Sequence, residues 1–337
     1  MELPSPRPIA ERTDVTAEIF QTEILPAGEP VVMRGLVTGW PVVEAGRSSG
    51  REVLDYIRNF DQGAAVSTAT GPPSLKGRLF YNEDMSGLNF RMEQIPIASS
   101  LDYLIDHEND RRPLAYAIQS VPMHDYLPGF AERNPMPLLD SAISPRLWLG
   151  NSVTIAAHQD PSENIACVAA GRRLFTLFPP EQVANLYIGQ FEMTPAGVPI
   201  SLVDFDAPDL ERFPRFTRAM EAARSAELAP GDAIFIPYLW WHHVRSLEKI
   251  NMLINYWWKP GNDGRGQPRD ALLHAMLTVK ALPPVHRAAW KTLFDHYVFH
   301  EQGDPAAHIP EERRGILGPL DGEKIREIRV AISNILR

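Results

Sequence analysis

The sequence contains a single cysteine, Cys167. One thiol closes no intramolecular disulfide and builds no cysteine-rich zinc site, so stability has to come from a packed core. Cys167 itself reads as a small buried strand residue, because a free cysteine behaves mostly as a hydrophobe. Basic residues are also in deficit: 33 Lys and Arg face 42 Asp and Glu, for a formal charge of −9 and a pI near 5.6. A general grip on a phosphate backbone needs a basic face, which argues against nucleic acid as a partner. The chain has no apolar run of about 18 residues, the length of a membrane-spanning helix. Its opening, MELPSPRPIAERTD, lacks the apolar stretch of a secretory signal. The expectation is a cytoplasmic protein without membrane attachment.

What is there suits a large folded core: 337 residues, 44% hydrophobic and 22% charged. The expected organisation is one catalytic domain over residues 1–260, with α/β elements at its start, followed by a helical region over 261–337. Val31 and Val32 before Gly35 and Gly39 predict a short strand and turn. Val53, Leu54, Ile57 and Phe60 predict an amphipathic helix. Residues 121–145, rich in Pro, read as a long surface connection. Two dense apolar runs lie between Arg146 and Phe178, and Gly171-Arg172-Arg173 reads as a hairpin turn after the second begins. The 181–229 excursion reads as loop followed by a helix through FPRFTRAMEAARSAEL, on its Ala, Met, Glu and Arg content. Strands resume at GDAIFIP, HHVRSL and KINMLINYWW. The remainder is helical.

His158-Gln159-Asp160 puts two ligands for first-row metals at positions i and i+2, which face the same way on a strand. A third ligand must come from elsewhere, and His242 leads because it opens a strand just after GDAIFIP. Two histidines and one carboxylate with open coordination positions match the facial triad of Fe(II) oxygenases. His243 competes, but strand parity favours its neighbour: His242 shares a face with Val244, and His243 with Arg245. A bulge would invert that inference. Trp257 shares parity with Asn255, which makes it a candidate to line the same pocket.

With these residues in hand, the chain resembles the cupin-like branch of the JmjC oxygenases, the group that includes the hypoxia-response asparaginyl hydroxylase. The resemblance runs through HQD at 158–160, GRRLFTLFPPEQ at 171–182, SLVDFDAPDLERFPRF at 201–216, GDAIFIPYLWWHHVRSL at 231–247 and NYWW at 255–258. It implies a mainly β fold, a double-stranded β-helix (cupin or jelly-roll) barrel with a helical C-terminal extension that dimerises. It implies Fe(II) on His158, Asp160 and His242, with 2-oxoglutarate as cosubstrate. Arg173 stands where relatives carry a lysine for the distal carboxylate, and a guanidinium can grip a carboxylate bidentately. Tyr116 resembles a tyrosine that contacts the same carboxylate, and Asn164 and Asn255 match amides of the cosubstrate region. Relatives usually place a threonine at the position of Ile155; here Thr154 lies one earlier and shares parity with His158.

The function this implies is a dioxygenase that hydroxylates a protein side chain or a small molecule. The alternative is a metal-binding cupin that holds a small molecule or partner without turnover. The loops at 121–145 and 181–200 are candidates to shape a peptide groove or a small-molecule lid. Leu272, Leu273, Met276 and Leu277, then Trp290, Leu293 and Phe294, make apolar stripes at helical spacing, the sequence basis for expecting a homodimer.

Overall fold

The computed structural model describes residues 3–259 and 265–335. It divides into two compact units, Met1–Lys259 and Pro260–Arg337; the expected boundary near residue 260 lies outside the described residues. The first unit is built on two sheets. The six-stranded one runs, edge to edge, Arg7–Pro8, Arg224–Leu228, Arg173–Phe178, Trp241–Ser246, Thr154–His158, Arg78–Leu79. The nine-stranded one has Ala233–Ile236, Glu163–Ala170, Asn251–Trp258 and Pro145–Gly150 side by side at its centre.

From Pro145 onward, successive strands alternate between the two sheets, apart from the antiparallel pair Arg173–Phe178 and Arg224–Leu228, which stays within the smaller one. That alternation is a jelly-roll barrel, the double-stranded β-helix that the family resemblance implies. The pattern also explains why NIACVAA is apolar at every position. Ala166 and Val168 point between the sheets, where they meet Phe175, Leu177, Ile234 and Val244. Ile165, Cys167 and Ala169 point the other way, into a core shared with Phe20, Leu54, Ile57, Leu101 and Phe130 from the helical layer. A strand buried on both faces has no solvent side to carry polar residues. Cys167 is fully buried, and the loss of solvation pushes its thiol pKa up.

Three sequence expectations need correction. Gly171 is not a hairpin turn: the strands on either side of it lie in different sheets, so it is a corner. Its φ is +68°, and a Cβ there would collide with Asn251 Oδ1 and the Ile250 carbonyl, so both the conformation and the space require glycine. Residues 121–145 are no surface connection, since Met123, Leu127, Phe130 and Leu138 are buried in the helical-side core and short helices form at Met123–Tyr126 and Phe130–Arg133. The helix read through FPRFTRAMEAARSAEL stops at Ala222, and Arg224–Leu228 is a strand. Ala226 and Leu228 are buried and Glu227 is exposed, a period of two that helix-favouring composition conceals.

The second unit contains the helices Pro268–Thr278, Pro284–Tyr297 and Gly322–Ile335. Leu272, Leu273, Leu277, Trp290 and Leu293 are exposed on them. Among the described residues no helix is long and apolar enough to cross a membrane.

Candidate metal and cosubstrate site

His158 ends the Thr154–His158 strand, Asp160 lies in the short connection that follows, and His242 lies directly across the antiparallel ladder from His158. One ligand atom from each residue lies within 4.8 Å of the others. The two imidazole centroids are 4.2 Å apart, and His242 Nε2 is 3.5 Å from Asp160 Oδ2. Each histidine is oriented by its own strand: Nδ1 of His158 meets the Ala156 carbonyl at 2.9 Å and Nδ1 of His242 meets the Trp240 carbonyl at 3.1 Å. A carbonyl only accepts, so Nδ1 carries the proton and Nε2 keeps its lone pair for a metal. Burial, reinforced by His158 next to it, holds the His242 imidazole down to about 4, so it is a neutral donor at pH 7.

His243 points the other way. It is buried, and its ring stacks on Phe205 at 4.4 Å and 12°. It therefore takes no part in the cluster, and the parity argument for His242 agrees with this geometry. Burial, then the neighbouring Arg245 charge, hold the His243 imidazole down to about 3. In the unfolded chain this ring takes a proton as pH falls through about 6.5, whereas in the folded chain it does not until far lower. Its stabilising contribution is therefore complete above about pH 6.5 and is lost progressively as pH falls toward 3. Between pH 7 and pH 5 the expected loss from this group is about 2 kcal/mol. Denaturant unfolding of the metal-free protein at the two pH values measures it. A His243→Phe variant, which keeps the stack on Phe205, is expected to show a correspondingly smaller pH dependence; an unchanged one sinks the assignment.

The cavity beside the cluster is lined by His158, Asp160 and His242 together with Asn164, Arg173, Asn255, Trp257, Ile155 and Gln119. Arg173 is 6% exposed, and no carboxylate pairs with it among the described residues. Burial pulls its guanidinium down to about 10, so it still carries its charge at pH 7. Arg172 beside it is half exposed and is spent on Glu227 at 2.5 Å and Glu248 at 2.7 Å. Asn255 takes a hydrogen bond from Trp148 Nε1 at 2.8 Å and donates to Asn164 Oδ1 at 3.4 Å. Trp257 stands edge-on to Trp148 at 5.9 Å.

Among the described residues three buried side-chain atoms have no hydrogen-bond partner: Asp160 Oδ2, Arg173 Nε and Trp257 Nε1. All three belong to residues lining this cavity. Orphaned buried polar groups are rare and costly. A lone carboxylate oxygen next to two imidazoles fits a metal ion. A buried guanidinium and an indole N–H without acceptors fit a small carboxylate-bearing molecule, so the donor set matches both Fe(II) and 2-oxoglutarate.

Two of the expected contacts are placed elsewhere. The Tyr116 hydroxyl donates to Ser100 Oγ at 2.9 Å, and its ring stacks on Tyr103; it faces the helical layer, not the cavity, because the Ala115–Pro122 strand turns that face toward the helices. Thr154 does not line the cavity, and Ile155 does. The cause is a bulge: His158 pairs with His242, but Ile155, three residues earlier, pairs with Val244, only two later. The extra residue on the His158 strand inverts parity upstream of it. Gln119, Pro195, Ala196 and Ile200 also line the cavity, and none stands out in the sequence. A β-bridge from His158 to Ile200 anchors the 181–200 excursion over the metal ligands, whereas no residue of 121–145 reaches the cavity.

Residues 16–264 match the family model for the cupin-like domain. The zebrafish (Danio rerio) protein named lysine-specific demethylase 8 is 28% identical over 72% of this chain and 56% of its own length. Jumonji C domain-containing protein 5 of Drosophila melanogaster is 24% identical over 72% of this chain and 57% of its own. The bovine (Bos taurus) HSPB1-associated protein 1 is 25% identical over 82% of this chain and 58% of its own. The chain thus spans little more than half the length of these relatives. With the barrel and the His158, Asp160 and His242 cluster in place, the family match leaves one conclusion: this chain belongs to the cupin-like, JmjC-type family of Fe(II)- and 2-oxoglutarate-dependent oxygenases.

Proposed function

We propose that the protein is a 2-oxoglutarate-dependent dioxygenase that hydroxylates a side chain of a protein substrate. The observation that carries the reading is a buried, unpaired Arg173 in the same cavity as the His158, Asp160 and His242 cluster. A cupin that only holds a metal has no use for a desolvated guanidinium, which is costly without an anion. When bound, iron and the keto acid supply the oxidising power: dioxygen is reduced, the keto acid loses carbon dioxide to become succinate, and a substrate C–H bond becomes C–OH.

The chain's own residues do the rest. His158, Asp160 and His242 would hold the metal, three protein donors that leave coordination positions for other ligands. Arg173, at the far end of the cavity, binds the distal carboxylate of the keto acid and so sets its direction. Asn164 and Asn255 are tied to each other and to Trp148, which makes a rigid polar wall, and Trp257 offers its free N–H to the bound ligand. Ile155, Ile200 and Phe175 keep water out. A protein side chain is favoured over a free small molecule because one relative is named a lysine-specific demethylase and another as associated with a protein. Peptide and small-molecule panels separate the two.

The test is anaerobic titration of the Fe(II) protein with 2-oxoglutarate. A metal-to-ligand charge-transfer band is expected; metal binding without the band would favour a binding module. A cytoplasmic location is part of the proposal and is tested by fractionation. The helical region 261–337 is proposed to pair two copies of the chain, supported by the exposed Leu272, Leu277, Trp290 and Leu293. Light scattering is expected to give twice the mass of the 37.8 kDa chain; a single-chain mass eliminates the dimer.

A further inference from the structure

A second cleft, of about 700 Å³, lies in the first unit and shares no lining residue with the metal cavity. It opens beside Asn151 and Ser152, just before the Thr154–His158 strand, whereas His158 ends that strand. Ser152 and His158 are thus separated by roughly 20 Å of extended chain at 3.3 Å per residue. Its volume is that of a site for an organic ligand.

Most of the charged residues lining this cleft are cations. Lys76, Arg111, Arg112 and Lys249 line it, against Glu108 and Asp110, in a chain whose net charge is −9. Arg34, Arg58 and Arg245, by contrast, each pair with a carboxylate, of Asp232, Asp102 and Asp206 respectively. Among the described residues no carboxylate pairs with Lys76, Arg111 or Arg112, and Lys249 is held by an amide, Asn109 Oδ1 at 2.8 Å, which leaves its charge uncancelled.

Two neutral polar side chains of the wall are already spent. Asn151 accepts from the Tyr116 N–H and donates to the Leu114 carbonyl, and Ser152 donates to the Glu248 carbonyl. What remains for a ligand is a set of cations, two carboxylates, the Ser74 hydroxyl and a flat aromatic column. In that column His107 stacks on Tyr103 at 4.2 Å and 19°, and Tyr103 on Tyr116 at 4.3 Å and 20°.

From this arrangement we infer a binding site for an organic phosphate of nucleotide size. Guanidinium forks at Arg111 and Arg112, with Lys76, match phosphate oxygens. Glu108 and Asp110 accept from sugar hydroxyls, and the His107 column offers a stacking surface to a planar base. The site is independent of the oxygenase reading, because it uses none of that cavity's residues.

The test is titration calorimetry of the full chain with ADP, inorganic pyrophosphate and adenosine. ADP is expected to bind more tightly than either fragment, and more weakly as salt rises. The double variant Arg111→Ala/Arg112→Ala is expected to lose at least tenfold in ADP affinity, with Arg173→Ala unchanged. Both arginines are exposed loop residues, so the fold is not at risk; Arg112→Glu provides a second, stronger reading of the same loss. Absence of ADP binding overturns the proposal. So does binding that survives the double variant and disappears in Arg173→Ala, or tighter binding of a single-stranded oligonucleotide than of ADP.

Discussion

An Asp160→Ala variant is expected to bind Fe(II) at least a hundredfold more weakly than the parent and to form no succinate. The magnitude follows from what is removed. Loss of a residue that merely orients a ligand costs about 10- to 100-fold in metal affinity, and Asp160 is the single anionic donor of the cluster. The same change should leave the metal-free protein at least as stable as the parent, since Oδ2 of Asp160 is a buried oxygen without a partner and its removal relieves a desolvation cost. The two readouts together separate a metal ligand from a structural carboxylate. Calorimetric metal titration measures the first and denaturant unfolding the second. A variant that unfolds more easily but keeps its iron affinity would sink the assignment. His243→Phe is the matched control, expected to retain iron, because His243 faces Phe205 and not the cavity.

Replacing Arg173 by alanine is expected to weaken 2-oxoglutarate by about 30- to 1000-fold, the factor that corresponds to losing about 2–4 kcal/mol of charge-assisted hydrogen bonding. Iron affinity should not move, which keeps this test distinct from the previous one. Arg173→Lys keeps the charge but shortens the reach and loses the fork, so an intermediate weakening is expected. Arg173→Met should stabilise the ligand-free protein, since it replaces an unpaired buried cation by an apolar side chain of similar length. Binding measured through the charge-transfer band reports the affinities. If the alanine variant binds 2-oxoglutarate within threefold of the parent, the distal carboxylate is held elsewhere and Arg173 is a packing residue.

The site was legible in the sequence where its residues are close together on one regular element. His158 and Asp160 declare themselves by spacing, and Arg173 by its place after Gly171 in the resemblance. His242 could be preferred to His243 because two residues on one strand have opposite faces, and the structure places them so. The same parity rule misassigned Thr154, because a bulge inserted one residue between it and His158. Tyr116 failed for a related reason: which face of the Ala115–Pro122 strand meets the helices depends on elements distant in sequence. Arg224–Leu228 failed because composition favours a helix where pairing with Arg173–Phe178 imposes a strand.

By itself the sequence determined the metal-ligand pair His158 and Asp160, which is written in local spacing, and, through the family resemblance of its motifs, the fold class. The tertiary structure alone decided which side chains share the cavity, that Arg173 is left desolvated without an anion, and that Lys76, Arg111, Arg112 and Lys249 converge on a second cleft. Those facts depend on register between strands and on the meeting of distant loops. A period of two or 3.6 says which side chains share a face, but only packing says what that face meets.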